Sequence, residues 1–297
     1  MYHKPVLLKE AVELLKIRPE GTYVDVTFGS GGHSGAILEQ LSDGRVFAFD
    51  QDPDAAANII ADTRFTLIRQ NFRYAKNFLK AEGVGNVDGI LADLGISSWQ
   101  IDQAQRGFST RLEGNLDMRM DSQQDLRADM VVNEYSEEEL ADIFYHYGEI
   151  ENSRQLAREI IRKRAEQPIQ TTLQLAGAIA RFAPRGKENQ YLARVFQAIR
   201  IEVNEELEAL KALLQQTPDM LIQGGRVVII SYHSLEDKLV KNFFNTGNFE
   251  GKEEKDFFGN LLSPLKPVSR KAVKPKAQEI SENPRSRSAR LRAAEKK

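Results

Sequence analysis

The run Val24-Asp25-Val26-Thr27-Phe28-Gly29-Ser30-Gly31-Gly32-His33 constrains this chain more than any other stretch. Apolar, β-branched residues stop at a cluster of glycines, and Ala36, Ile37, Leu38 and Leu41 follow at helical spacing. Strand, glycine turn and helix in that order form the element with which α/β proteins hold nucleotide-like ligands. A plain structural turn is the alternative for a lone glycine loop, and its position after a first strand argues against it.

Further strand-like runs appear at Tyr23–Phe28, Arg45–Asp50, Phe65–Arg69, Asp88–Asp93 and Arg226–Ser231. Helical patterns of ordinary length separate the first four, as expected of βαβ units in a parallel sheet. The step from Asp93 to Arg226 is too long for one crossover, and its content is helical. Ser136-Glu137-Glu138-Glu139 reads as a capping box ahead of Leu140, Ile143 and Phe144. Thr171 or Thr172 starts another helix, and Asn189 to Leu214 is long and periodic. The economical reading is a helical domain inserted after the fourth strand, with Gly224-Gly225 returning the chain to the sheet.

The glycine loop excludes two ligand classes. A nucleotide triphosphate loop ends in Gly-Lys-Ser/Thr, and Gly32-His33-Ser34 lacks the lysine. A dinucleotide fingerprint beginning at Gly29 needs a third glycine where Ser34 stands. S-adenosylmethionine (SAM) has no phosphates; its carboxylate suits backbone N–H groups and its ribose diol wants an acid. Asp50, at the end of the second strand and about 20 residues past the loop, supplies that acid. Asp52-Pro53 reads instead as a helix cap followed by Pro at the first position. Phe72 follows the third strand, placed to pack on an adenine or in the core. Asp93 ends the fourth strand at the carboxyl edge, where open α/β sheets bind ligands, with a turn-forming role as the plain alternative.

Composition narrows the chemistry. A chain of 297 residues with 41% hydrophobic content can bury a large core. No apolar run approaches the ~20 residues that span a bilayer, and the amphipathic N-terminus has no signal-peptide core, so no membrane role and a cytoplasmic location are expected. Cysteine is absent, which excludes disulfides, thiolate metal sites and a thiol nucleophile. The formal charge of -2 hides an asymmetry: Lys266 to Lys297 holds eleven Lys/Arg against three Glu. Such a tail suits an anionic polymer, with a solvated, disordered end as the alternative.

Eight blocks carry a resemblance to a known family. They are His3-Lys4-Pro5-Val6-Leu7-Leu8, Thr27-Phe28-Gly29-Ser30-Gly31-Gly32-His33-Ser34, Ala92-Asp93-Leu94-Gly95-Ile96-Ser97-Ser98 and Arg106-Gly107-Phe108-Ser109. Leu116-Asp117-Met118-Arg119-Met120, Arg200-Ile201-Glu202-Val203-Asn204, Ser231-Tyr232-His233-Ser234-Leu235-Glu236-Asp237 and Asn283-Pro284-Arg285-Ser286-Arg287-Ser288 complete the set. In this order they make a chain that resembles the bacterial RsmH (MraW) methyltransferases, SAM-dependent enzymes that methylate N4 of a cytosine in 16S rRNA. The resemblance implies an α/β fold: a class I, Rossmann-like SAM-dependent methyltransferase sheet with an inserted all-helical domain. The expected boundaries are 1–103 and 206–297 for the SAM-binding domain and 104–205 for the insertion, which would recognise rRNA. It implies a SAM site made of Gly31, Gly32, His33, Asp50, Phe72, Asp93 and Gln100; His33 and Gln100 rest on the resemblance alone. Trp99 and Asn115 depart from the family, standing where proline is usual.

Methyl transfer from a sulfonium is an in-line displacement, so alignment and desolvation are the enzyme's main work. Methylating C5 of cytosine requires a covalent thiolate adduct, so a cysteine-free chain is limited to targets with a lone pair, such as an exocyclic amine. The amine-binding loop with paired prolines that many amino-methyltransferases carry after strand four is replaced here by Asp93-Leu94-Gly95-Ile96. Tyr232 and His233 are the catalytic candidates, Tyr232 to stack on an extruded base and His233 to bond the amine or take its proton. The plain alternative is a cap on helix 235–244, with Ser234 as N-cap and Asp237 at its third position. Arg162, Lys163, Arg164, Arg181, Arg185, Lys187 and Arg194 of the insertion, with Arg285, Arg287, Arg290 and Arg292 of the tail, are candidates to grip 16S rRNA within the small ribosomal subunit. The sequence leaves the oligomeric state open, a homodimer included. Two other functions remain open: a ribosome-assembly factor that uses SAM only structurally, and a nicotinamide-dependent oxidoreductase.

Overall fold

The computed structural model describes residues 5–297; His3 and Lys4, which open the first family block, lie outside the described residues. The chain divides into two compact units, one made of the chain up to Gly95 with Leu207–Lys297, the other of Ile96–Glu206. The division after Gly95 precedes the 103/104 boundary expected from sequence. Ile96 packs against the helical unit's core, and the short helix Ser98–Asp102 follows it.

In the first unit, β1 (Thr22–Asp25), β2 (Arg45–Phe49), β3 (Phe65–Ile68), β4 (Val87–Asp93) and β5 (Leu221–Ser231) pair in parallel. With β6 (Leu265–Pro267) and β7 (Arg290–Lys296) the sheet runs β3-β2-β1-β4-β5-β7-β6, the last two strands antiparallel to their neighbours. Strand residues alternate between the two faces. Val24, Phe47, Phe49, Ile90 and Val227 join Leu210, Leu213 and Phe244 on one side. Tyr23, Val46, Ala48, Leu91 and Val228 join Ala11, Leu15 and Ile37 on the other. Both faces are covered, so the strands read as continuous apolar runs rather than alternating ones.

Strand order reverses between β1 and β4, which lie side by side, so a crevice forms beyond their carboxyl ends. The glycine turn, Asp50 and Asp93 all occur at that edge. β1 is shorter than the expected Tyr23–Phe28 because the chain past Asp25 bonds alternately to its two neighbours: Val26 N–H donates to Leu91 O and Phe28 N–H to Phe49 O, each at 2.9 Å. β5 is longer than expected. Gly224 (φ 76°) and Gly225 sit inside it as a bulge, opposite a register shift between Val87 and Gly89.

The helical unit packs Phe108, Leu116, Met118, Leu140, Phe144, Leu156, Ile160, Val195 and Ile199 into one core. The Ser136/Glu139 capping box opens Glu137–His146, and Thr171 with Gln174 opens Thr172–Ile179. The periodic stretch from Asn189 is two helices, Glu188–Asn204 and Glu206–Met220, because Glu205 turns left-handed (φ 47°). Asn204 explains the break. Its buried amide accepts from Met120 N–H at 2.7 Å and donates to Met118 O at 2.8 Å, holding the helix end against that loop.

The C-terminal segment is a structured part of the sheet, not a solvated tail. Arg292 makes a two-pronged bond to Asp237 (Nε–Oδ1 2.7 Å, Nη2–Oδ2 3.1 Å), Arg290 reaches the same carboxylate at 3.4 Å, and Glu295 meets Arg226 at 3.0 Å. Arg292 is thereby committed within the fold, while Lys266, Arg270, Lys271, Lys274, Arg285 and Arg287 stay exposed. No helix among the described residues is long and apolar enough to cross a membrane.

Candidate active site at the β1–β4 edge

The glycine turn is built by two left-handed residues, Gly29 (φ 53°) and Gly31 (φ 78°), a region that costs a side-chain residue energy. Gly32 is glycine for space: a Cβ there would lie 2.2 Å from Pro5 Cγ. Asp50 ties the turn to β2. One carboxylate oxygen accepts from Gly29 N–H and the other from Asp52 N–H, both at 2.8 Å. A carboxylate has about four lone-pair sites, so Asp50 keeps acceptor capacity for a diol. Burial pushes its carboxyl up to about 6 despite those two amides, and the neighbouring Asp52 and Asp25 add to the rise. Asp52 is the expected cap, accepting from Asp54 N–H ahead of Pro53, although the turn it opens is 3₁₀.

Asp25, at the tip of β1, is fully buried and links the loop to the sheet. It accepts from Ser34 Oγ at 2.7 Å and from Thr27 N–H at 3.1 Å, while Asp93 N–H donates to Thr27 Oγ1 at 2.6 Å. Ser34 therefore has its own structural task where a dinucleotide loop has glycine. Burial raises the Asp25 carboxyl, opposed by His33 and by its hydrogen bonds. Sequence reasoning gave this acid no role; its only trace there is a polar residue inside an apolar strand, nine before a serine.

Asp93 sits at the tip of β4. Its Oδ1 accepts from Tyr232 Oη at 2.7 Å and its Oδ2 lies 3.8 Å from His33 Nδ1. His33 is 5% exposed, and its Nε2 is a buried polar atom with no hydrogen-bond partner. Burial pushes the Asp93 carboxyl up to about 6, countered by His33 and by the Tyr232 hydroxyl. The Tyr232 phenol is driven well above its ordinary value by burial and by Asp93 beside it, so it stays protonated and donates. Phe72 is partly buried after β3 and packs against the sheet's core.

The turn after β5 is capped differently from expectation. His233, not Ser234, is the N-cap of Ser234–Thr246, and Glu236, not Asp237, is its partner. Glu236 N–H donates to His233 Nδ1 at 3.4 Å, and Glu236 Oε2 accepts from Tyr232 N–H at 2.8 Å. Gln100 lies in the helical unit, where its side-chain oxygen accepts from Ser97 N–H at 2.9 Å in a capping box. Most of the insertion's basic candidates have protein partners: Arg162 and Arg181 bond Glu159, Lys163 meets Glu166, Arg164 donates to Val132 O and Arg194 to Glu149 O. Arg185 and Lys187 are exposed.

The residues around the glycine turn fit SAM. Asp50 offers acceptors for a ribose diol, Asp93 a carboxylate for an ammonium, and His33 Nε2 a buried polar atom that awaits a partner. A doubly covered parallel sheet with this turn after β1, acids at the tips of β2 and β4 and an antiparallel last pair defines a Rossmann-like methyltransferase. The chain belongs to the MraW methylase family, whose model matches residues 1–297. It is 55% identical over 297 residues to a protein of Bacteroides fragilis named ribosomal RNA small subunit methyltransferase H, covering 100% of this chain and 98% of that one. A protein of the same name from Cytophaga hutchinsonii is 55% identical over 298 residues, with both chains covered in full.

An acid limb near pH 6 is expected for SAM binding. Above about 6, Asp50 and Asp93 are carboxylates and accept strong, charge-assisted hydrogen bonds; below it they protonate and lose the charge. One unit below a pKa, a site that needs the charged form loses affinity about tenfold. The fold itself feels the opposite sign. Acids whose folded pKa is raised contribute most below their unfolded value, and that contribution is lost as pH rises through about 6. Calorimetric titration with SAM from pH 8 to pH 5 checks this; a flat affinity across that range contradicts it.

Proposed function

We propose that this chain transfers the methyl group of SAM to the exocyclic N4 amine of a cytosine in 16S rRNA, in the decoding region of the small subunit, in the cytoplasm. The observation that carries this reading is full-length membership of the MraW methylase family together with the Asp50–glycine turn–Asp93 arrangement at one sheet edge. The names of the relatives place ribosomal RNA of the small subunit among their substrates. Absence of cysteine supports N4 over C5, since the ring carbon needs a thiolate adduct.

When bound, SAM supplies a methyl group on a sulfonium, electrophilic enough for direct displacement. Gly31 and Gly32 would hold its amino-acid end through their backbone, Asp50 would accept from the ribose diol and Phe72 would flank the adenine. Asp93 and His33 would hold the polar end. Tyr232 is a positioning residue: its hydroxyl donates to one oxygen of Asp93, and burial keeps it protonated as a donor. His233, committed to its cap, orders the turn after β5.

The test is incubation with methyl-labelled SAM and small ribosomal subunits, followed by nuclease mapping of the rRNA. Label at one cytosine of the 16S decoding region is the expected outcome. Tight SAM binding without transfer to naked rRNA or to subunits would favour an assembly factor instead.

A further inference from the structure

Trp99 is the chain's one tryptophan, stands where the family resemblance leads one to expect proline, and is 47% exposed. It does not lie loose. The Arg106 guanidinium is 5.7 Å from the centre of its ring and 5.9 Å from the ring of Phe108, which is buried in the helical unit's core. Arg106 Nη2 donates to Arg119 O at 2.9 Å and Met120 O at 3.1 Å, so the cation is held in place. The Ser97/Gln100 capping box fixes the short helix that carries the indole. An aromatic ring, a cation and a second aromatic ring thus rise from the core to the surface and end in an open indole.

We propose that Trp99 is a stacking platform for an unpaired base of the RNA substrate. This rests on the reading of the chain as an rRNA methyltransferase and names a residue that grips that substrate. An exposed indole without a backing charge would suit any apolar partner. Backed by a fixed guanidinium, it offers a flat π surface in a positive field, which complements a planar base on a polyanion. Base–aromatic stacking is tolerant of sequence, so Trp99 adds grip on the RNA and leaves the choice of cytosine to other groups.

A single tryptophan makes the test direct. The full chain is titrated with a cytosine-containing single-stranded RNA of about ten nucleotides, within the usual range of site sizes. Indole emission and binding by filter retention are followed together. Saturable quenching that tracks retention is expected. Retention of RNA with unchanged emission overturns the proposal, as would an RNA that is not retained at all. Trp99→Leu keeps apolar bulk without the ring and should weaken retention about tenfold, while Trp99→Phe should recover most of it. In methyl-transfer assays Trp99→Leu should raise KM for RNA and leave kcat at saturation nearly unchanged; a fall in kcat alone counts against a stacking role. The quench needs no methyl transfer, so quenching by a chain that transfers no methyl group would refute the enzymatic reading and leave the platform standing.

Discussion

Replacing Asp93 by Asn is expected to weaken SAM binding about 100-fold while leaving the melting temperature unchanged or slightly raised. Hydrogen bonds to a charged group contribute roughly 1.5–3 kcal/mol, and 1.4 kcal/mol is tenfold in affinity, so losing the charge proposed to face the ammonium reaches about that factor. Stability moves the other way because Asp93 is held against its own ionisation. Its carboxyl is pushed up to about 6 by burial, so the folded chain bears a cost at neutral pH that Asn does not. Asn also keeps an acceptor for the Tyr232 hydroxyl. Tyr232→Phe separates positioning from binding. Without that donor the Asp93 carboxylate is less stabilised, its pKa rises further, and the acid limb of SAM binding moves to higher pH. Calorimetry and thermal melts on both variants check this; an Asp93→Asn affinity within about threefold of the parent contradicts the assignment.

Ending the chain at Ala289 is expected to prevent stable folding. The deletion removes β7, which carries fully buried Leu291 and Ala294 and pairs with β5 from Arg226 to Ser231. Burying a leucine is worth about 1.5–3 kcal/mol, and leaving a buried charge without its partner costs about 3–5 kcal/mol. Asp237 would be that charge, since Arg290 and Arg292 both leave it. The sum is comparable with the roughly 5–15 kcal/mol that holds a domain together, and the bared edge of β5 invites aggregation. Soluble expression and a melt decide it. A soluble truncated chain melting within about 3 °C of the parent would show that β7 is dispensable.

The same strand marks where reading the sequence ran out. Arg290-Leu291-Arg292 looks like a solvated end because charge counts cannot see that Asp237 meets both arginines. Local chemistry was legible where partners are close in sequence. The glycine turn, the Asp52-Pro53 and Ser136/Glu139 caps and the first four strands stand where their residues indicate, with β1 ending three residues early. Asp50 was legible too, since the spacing from a glycine turn to the next strand tip is set by the βαβ unit. Long-range commitments were not. Asn204 ends a helix through contacts with Met118 and Met120, over 80 residues away, so the break at Glu205 leaves no local signal. His233 takes the cap from Ser234 because Glu236 closes a box with it, a contest between adjacent candidates that spacing does not settle.

Transfer to N4 and transfer to C5 leave different nucleosides, so the atom that receives the methyl group can be read directly. Small-subunit rRNA labelled by this chain from methyl-labelled SAM, digested to nucleosides and separated by chromatography with mass detection, is the test of transfer to N4. The expected result is N4-methylcytidine as the labelled nucleoside. Label in 5-methylcytidine, or in any nucleoside other than cytidine, would contradict the account.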